Sequence, residues 1–471
     1  MADRGPRLLK TPSVAVETHG IDFVPLAERY GRPSRLFTLW FSVNLTILGV
    51  ALGTLGVVAG LSFGWVVTAL ILGNATGTII MAAHSAQGPQ LGVPQMIQSR
   101  AQFGVLGAAL PLVAVVIMYT LYCAANAVLA QSPLQHIVPV GGNGALVLFG
   151  LMSLAAAFLG YEFIHRAAGV MAVISATFFL MAAYRLLTAH PLGAIGISNA
   201  TLHFSRAAFI LTATQAAAWG ISYGPYVADY SRYLPPSVSP SATFWYTAFG
   251  CFLGSTVVMV FGAALASVDS AHVADPAAAV AALFGVGQPI ARVLIVIGVV
   301  QGNVMTLYSA YLSTATIFSS LRGMHRISAG GRLLTMCAVT LAATLISMVA
   351  QQNFQAYFSD ALNIMIYLLM PWSAINLADY YFVRGGRYNI PDLFRLEGEY
   401  GRWRWKALAV YAAGIAVQLP FISLSFYNGP LMQWIGSDIA WIPGLLLPGI
   451  LYAMVEGRVR AVPRDTDQVG A

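Results

Sequence analysis

The sequence predicts an all-α polytopic membrane protein, and three observations carry that prediction. Of its 471 residues, 58% are hydrophobic and only 9% charged, whereas a soluble chain carries about 25% charged residues. The apolar residues recur in blocks of about 20, the length of helix that crosses roughly 30 Å of hydrocarbon. The cations alternate between connections in the manner of the positive-inside rule.

Twelve spans follow, at about 36–60, 63–86, 105–131, 143–161, 167–188, 208–230, 242–268, 290–318, 333–350, 355–383, 406–425 and 439–456. With the N-terminus in the cytoplasm, all but Arg185, Arg206 and Arg292 of the 24 Lys and Arg residues fall on inner segments. Fusing or splitting a span would put successive basic connections on opposite sides. The formal charge of +7 therefore reads as topology and not as a nucleic-acid footprint. The expected setting is the plasma (inner) membrane, multi-pass, with both termini cytoplasmic. Residues 1–35 hold no apolar core that would serve as a signal peptide, so the first span is expected to do the targeting. Cys123, Cys251 and Cys337 lie in apolar runs without C-x-x-C spacing, which indicates neither a disulfide framework nor a thiolate metal site.

The polar segments are a cytoplasmic arm (1–35), a cytoplasmic connection (384–405) and a tail (457–471). The outer connection "SVDSAHVADP" leads into "AAAVAALFG", whose composition predicts a short helix across the outer mouth. At the inner ends of spans, Asp229 with Arg232 reads as a salt bridge or helix-terminal element of an inner gate, and Glu162 beside His165 and Arg166 as loop structure. Asp379 is expected to pair with a neighbouring cation such as Arg384; such pairs serve gating more than net stability.

Spans one and six differ from the rest. Span one, "LWFSVNLTILGVALGTLGVVAG", carries Asn44, Thr46 and glycines at 49, 53, 56 and 60; span six, "QAAAWGISYGPYVADY", carries Gly220, Gly224 and Pro225. Interrupted spans at matching positions of two halves point to a transporter site between inverted repeats, because irregular backbone at that depth must be buried in protein or line a polar cavity. The echo of "TLYCA" (120–124) in "TLYSA" (306–310) fits the same five-span offset.

Three readings compete for "WGISYGPYVADYSRYLP" at 219–235. Gly220, Ser222 and Gly224 have the G-x-S-x-G spacing of a hydrolase nucleophile, but the strand-turn-helix context with a later His and acid is missing. His84 is the most plausible intramembrane histidine, and nothing pairs it with Ser222. The G-x-x-x-G spacings at 220/224 and 49/53 permit close helix packing. A helix unwound around Gly220–Gly224 would free backbone groups for a small polar ligand, and it alone explains why breakers, an aromatic and a hydroxyl share one turn.

"DYSRYLP" at the inner end of span six, "WFSVN" in span one, "PQMIQSRAQFGVLG" before span three, "TLYSAYLS" in span eight and "INLADYYFVR" closing span ten together resemble the purine-cytosine permease family, also called nucleobase-cation symporter family one. The resemblance runs from about residue 20 to 390. It implies a leucine-transporter-like fold: inverted repeats at 36–188 and 208–383 with broken helices 1 and 6, then two accessory helices at 406–456. It also implies secondary transport of nucleobases or related heterocycles.

A nucleobase needs π-faces for its ring and an amide or backbone groups for its edge. The resemblance places an aromatic in span three, a polar residue one turn on, an aromatic in span six and an asparagine in span eight, here Tyr122, Asn126, Trp219 and Asn303. Tyr122 and Asn126 share a helix face. Tyr122 stands where relatives commonly have tryptophan, a smaller platform with an added hydroxyl. Gly220, Ser222 and Tyr223 are second-rank candidates. Packing or interfacial anchoring is the competing reading for the aromatics, whereas intramembrane amides generally face an interface or cavity.

Sodium-coupled relatives use carbonyls from broken span one with hydroxyl side chains in span eight, as hard cations require oxygen ligands. The hydroxyl positions fall on Gln301 and Gly302, which favours proton-coupled or sodium-independent transport; no intramembrane carboxylate identifies itself as proton carrier. No cofactor is expected, and the partners are a small heterocyclic substrate and the bilayer. An amino-acid-type carrier of the same fold and an intramembrane hydrolase centred on Ser222 are the alternatives.

Overall fold

The computed structural model describes residues 21–158, 161–190, 203–269, 273–322 and 329–457. The first 20 residues of the N-terminal arm, the tail from 458, part of the outer connection before Val273, and the side chains of Glu162, His165 and Arg166 lie outside the described residues.

The chain is helical almost throughout. In order come α1 (Ser34–Val43), α2 (Ile47–Val58), α3 (Phe63–Ser85), α4 (Gly88–Leu91), α5 (Gln95–Phe103), α6 (Ala109–Ile137), α7 (Gly142–Phe158), α8 (Tyr161–Ala189), α9 (Arg206–Ser222) and α10 (Gly224–Ser231). Then follow α11 (Pro240–Val268), α12 (Pro276–Ala282), α13 (Gln288–Arg322), α14 (Ala329–Ala350), α15 (Phe354–Ala378), α16 (Trp405–Ala416), α17 (Pro430–Ile435) and α18 (Trp441–Glu456). Among the described residues, seven helices are long and apolar enough to cross a membrane, or eight with α1 and α2 taken as one bent span. α7, α16 and α18 are shorter apolar helices.

The first span breaks where the sequence interposes polar groups, not at its glycines. α1 and α2 meet at 65° across Asn44–Thr46. Thr46 is extended (φ −133°, ψ 154°) and its hydroxyl accepts from Gly49 N, the arrangement of a helix N-cap. The glycines serve close approach instead. A Cβ added at Gly53 would lie 1.9 Å from Met259 O, and one at Gly262 would lie 2.1 Å from Val50 O; α2 and α11 thus interlock backbone to backbone.

The sixth span is interrupted more narrowly than a helix unwound around Gly220–Gly224. Helical geometry persists through Ser222 and resumes at Gly224, leaving Tyr223 alone between α9 and α10. Pro225 has no N–H to give Ile221 O, and the chain uses tighter bonds there, Tyr223 N to Gly220 O and Tyr226 N to Tyr223 O, both 3.2 Å. Gly220 is a packing glycine: its Cβ would stand 2.7 Å from Gly77 C.

Three boundaries also move. The fourth helix ends at Phe158 and the fifth already runs from Tyr161. The eleventh stops at Ala416, followed by a turn around Pro420 and a two-stranded hairpin pairing Ser423 with Asn428. The expected outer helix is α12, N-capped by Asp275, whose Oδ1 accepts from Ala278 N at 2.9 Å. The segment before span three folds as α5, whose nine residues are all buried despite their polarity. One large apolar core occupies the bundle, and a satellite of Ile97, Tyr380, Leu393 and Tyr400 fastens the 384–405 connection onto α5.

Candidate functional site

A cavity lies where the breaks in spans one and six face α6 and α13. Seven aromatic rings line it: Trp40 from α1, Tyr119 and Tyr122 from α6, then Trp219, Tyr223, Tyr226 and Tyr230 along α9 and α10. Asn126, Thr306 and Ser309 supply polar groups. The cavity holds about 820 Å³ of space, counting the part open to the outside. It extends along α1 and α10, toward the end of the bundle from which the chain enters.

Three of the four first-rank residues line this wall, and the fourth stands behind it. The rings of Tyr122 and Trp219 meet edge to face, centroids 5.8 Å apart at 84°. Asn126 Nδ2 donates to Asn303 Oδ1 at 3.2 Å, and Asn303 Nδ2 donates to Ser153 Oγ at 3.3 Å. Asn303 is buried, absent from the wall, and fixes the Asn126 amide from the far side. Of the second-rank residues, Tyr223 lines the cavity; Ser222 accepts from Tyr122 OH at 2.9 Å and donates to Trp219 O at 2.7 Å. No histidine is among the partners of Ser222, and His84 bonds elsewhere, to Asn376 and Ser373.

Asn44 was not among the predicted binding residues, yet it ties the two breaks together. Its Oδ1 accepts from Trp219 Nε1 at 2.6 Å and from Tyr223 OH at 3.2 Å, while its Nδ2 donates to Trp40 O at 2.5 Å. One amide therefore closes the end of α1 and sets the indole that faces Tyr122. The signal was an asparagine inside an apolar span. Trp219, Tyr223, Tyr226 and Tyr230 likewise recur at helical spacing, a legible aromatic stripe.

The cavity continues beside the first break, between α8 and α13, past Ser42, Thr46, Ser175, Gln301 and Gly302. Helix α13 offers an amide there and no hydroxyl at 301 and 302, whereas α1, the break and α8 contribute three. Among the described residues, no group of three His, Cys, Asp or Glu side chains could hold a metal ion.

At the span ends that the sequence reading assigns to the cytoplasm, charged groups fasten elements together. Asp229 Oδ1 accepts from Gln95 N at 2.9 Å, capping α5, and buried Arg232 donates to Asp22 O at 3.0 Å and Asp229 O at 3.3 Å. Arg384 pairs with Asp379 at 3.2 Å and with Glu399 at 2.9 Å. Burial works against the Arg384 charge, but Asp379 and Glu399 outweigh it and hold its guanidinium above the usual arginine range.

Comparison with known proteins agrees with this architecture. Residues 23–442 match the family described as permease for cytosine/purines, uracil, thiamine, allantoin. The putative purine-cytosine permease YxlA of Bacillus subtilis (strain 168) is 37% identical over 93% of this chain and 95% of its own. The purine-cytosine permease FCY2 of Saccharomyces cerevisiae is 27% identical over 93% of this chain and 85% of its own. The chain belongs to this permease family.

Among solved structures, the inward-facing conformation of Mhp1 superposes with a TM-score of 0.74 at 17% identity, covering 94% of each chain. The closed, bromovinylhydantoin-bound form of Mhp1, a nucleobase-cation-symport-1 family transporter, gives 0.70 at 19%, covering 92% of this chain and 95% of its own. Those likenesses establish the fold. Membership in a permease family also resolves the G-x-S-x-G question: this is a transport protein and not an enzyme, and Ser222 serves as a hydrogen-bond link between Tyr122 and α9.

Proposed function

We propose that this permease is a twelve-span secondary transporter that imports a nucleobase or related flat heterocycle by alternating access. In this reading residues 36–188 and 208–383 are inverted repeats, 406–456 accessory helices, and 1–35, 384–405 and 457–471 cytoplasmic segments. The carrying observation is the cavity at both helix breaks, where Tyr122 and Trp219 present faces at 84° and Asn126 sits one helical turn from Tyr122. A ring seated on Trp219 meets the Tyr122 edge and hydroxyl, and the part of the Asn126 amide not committed to Asn303 meets its hydrogen-bonding rim. Asn303 acts through Asn126. Asp229 and Arg232 belong to an inner gate, Asp229 bonding the start of α5 and Arg232 the backbone of Asp22.

Coupling to protons is favoured over sodium because positions 301 and 302 lack the hydroxyls a hard cation needs beside the carbonyls of span one. An amino-acid-type carrier would need the freed helix N-termini for a carboxylate; here the Thr46 hydroxyl already caps the start of α2. A thermal-shift panel of cytosine, adenine, hypoxanthine, uracil, allantoin, a hydantoin and representative amino acids, with and without sodium, tests both points, since a ligand of the native state raises its apparent stability. At least one base should raise the melting temperature without sodium. Uptake of that base should survive Ser222→Ala and collapse with Asn303→Ala. A shift with amino acids alone would overturn the substrate reading, and a strict sodium requirement the coupling reading.

A further inference from the structure

His84 is a buried titratable side chain that the cavity leaves unused, and its surroundings form a site. It lies near the inner end of α3, with no solvent exposure, packed among α5, α10 and α15. Asn376 Nδ2 donates to Gln102 Oε1, which turns Asn376 Oδ1 toward the ring, where it meets His84 Nδ1 at 3.0 Å. Nδ1 therefore carries the proton, and Nε2 accepts from Ser373 Oγ at 3.2 Å. The Trp372 ring stacks on the imidazole, centroids 4.8 Å apart and 14° from parallel, and its Nε1 is anchored on Ser99 Oγ at 2.9 Å.

The same setting suits an imidazolium after one small rotation. Turning the Ser373 hydroxyl converts it from donor to acceptor for a second N–H at Nε2, while Nδ1–H keeps Asn376 Oδ1. Stacked Trp372 adds the cation–π attraction of an aromatic face.

The charged and titratable groups around the ring sit one or two links away. Asp229 on α10 bonds Gln95 N, Asp379 after α15 accepts from Gln102 Nε2 at 2.6 Å, and Tyr381 donates to Ala83 O. Arg100 on α5 points elsewhere, to Leu393 O and Ser320 Oγ. Asp229 therefore lies one residue from the ring, through Gln95, and Asp379, itself paired with Arg384, lies two away, through Gln102 and Asn376.

The site also touches α10. A Cβ at Gly224, the first residue of α10, would meet Trp372 Cζ3 at 3.3 Å and His84 Cδ2 at 3.5 Å. Tyr223 and Tyr226, on either side of Gly224 in sequence, line the cavity. Charging the ring thus alters the seat of the helix half that carries the substrate wall.

We propose that His84, held by Asn376, Ser373 and Trp372, is the proton-binding site that couples this permease to the proton gradient. This rests on the proton-coupled reading above. Linkage then requires that proton and base strengthen each other's binding equally.

The test uses the full chain in proteoliposomes enclosing a pH dye, with cytosine and hypoxanthine added outside in separate runs. The wild type should admit protons with the base, and its apparent affinity should strengthen up to tenfold for each pH unit lowered through the linked range. His84→Gln should flatten that slope and abolish base-driven proton entry. Asn376→Asp, which sets a carboxylate on Nδ1, should move the midpoint of the wild-type profile upward by about one unit or more; a merely structural role would not move it. A wild type that admits no protons with either base overturns the coupling reading and this assignment together. A coupled wild type whose coupling persists in His84→Gln overturns the assignment alone. Should His84→Gln not fold, an Asn376→Asp profile that coincides with wild type overturns it.

Discussion

Replacing Asn44 with alanine isolates the joint between the two helix breaks. The fully buried side chain accepts from Trp219 Nε1 at 2.6 Å and Tyr223 OH at 3.2 Å, and donates to Trp40 O at 2.5 Å. Leaving a buried donor unsatisfied costs about 1–3 kcal/mol. Tyr223 borders the cavity and regains water, so the indole and the uncapped α1 carbonyl dominate. A total of about 2–6 kcal/mol follows, of which about 1–3 kcal/mol acts through the position of Trp219. That share weakens base binding by about 5- to 150-fold.

A double-mutant cycle with Trp219→Phe provides the assay, with dissociation constants for the base that the thermal-shift panel identifies. Phenylalanine keeps a ring but has no N–H, so Asn44→Ala should cost at least about 1 kcal/mol less in that background. Effects that add within about 0.5 kcal/mol would refute the claim that Asn44 acts through the indole.

Other substitutions separate packing from binding. Asn126→Ala should weaken base binding by about 1–3 kcal/mol, whereas Asn303→Ala in the Asn126→Ala background should add little, as measured by equilibrium binding. Gly53→Val sets a side chain against Met259 O, 1.9 Å from where its Cβ falls, and should lower stability by about 3 kcal/mol, read as a fall in melting temperature. Asp379→Asn leaves Arg384 deprived of a partner that has no exposure; about 3 kcal/mol is expected, with partial recovery in Asp379→Asn/Arg384→Gln.

Much of the architecture was legible because the bilayer imposes it. Blocks of about 20 apolar residues must become helices, since backbone groups in hydrocarbon have no other partners. The pairing of Asp379 with Arg384 was equally legible, five residues apart at the end of a span. The glycines admitted two readings, helix breaker and G-x-x-x-G packing, and at Gly49, Gly53 and Gly220 the packing reading holds, with Val258, Met259 and Gly77 respectively in close approach; sequence spacing does not distinguish the two. Asn303 illustrates the same limit for the site: an intramembrane amide announces a polar interface, but only its neighbours, Asn126 and Ser153, decide whether it faces a cavity or supports a residue that does.

By itself the sequence determined an all-helical membrane protein of the cytosine and purine permease family, because hydrophobic length and motif order are properties of the linear chain. Tertiary structure decided where the helices break, that Asn44 binds the two breaks to each other, and that His84 meets Asn376, 292 residues away. The physical reason is that a hydrogen bond requires both partners within about 3 Å, and for groups so far apart along the chain only the packed bundle sets that distance.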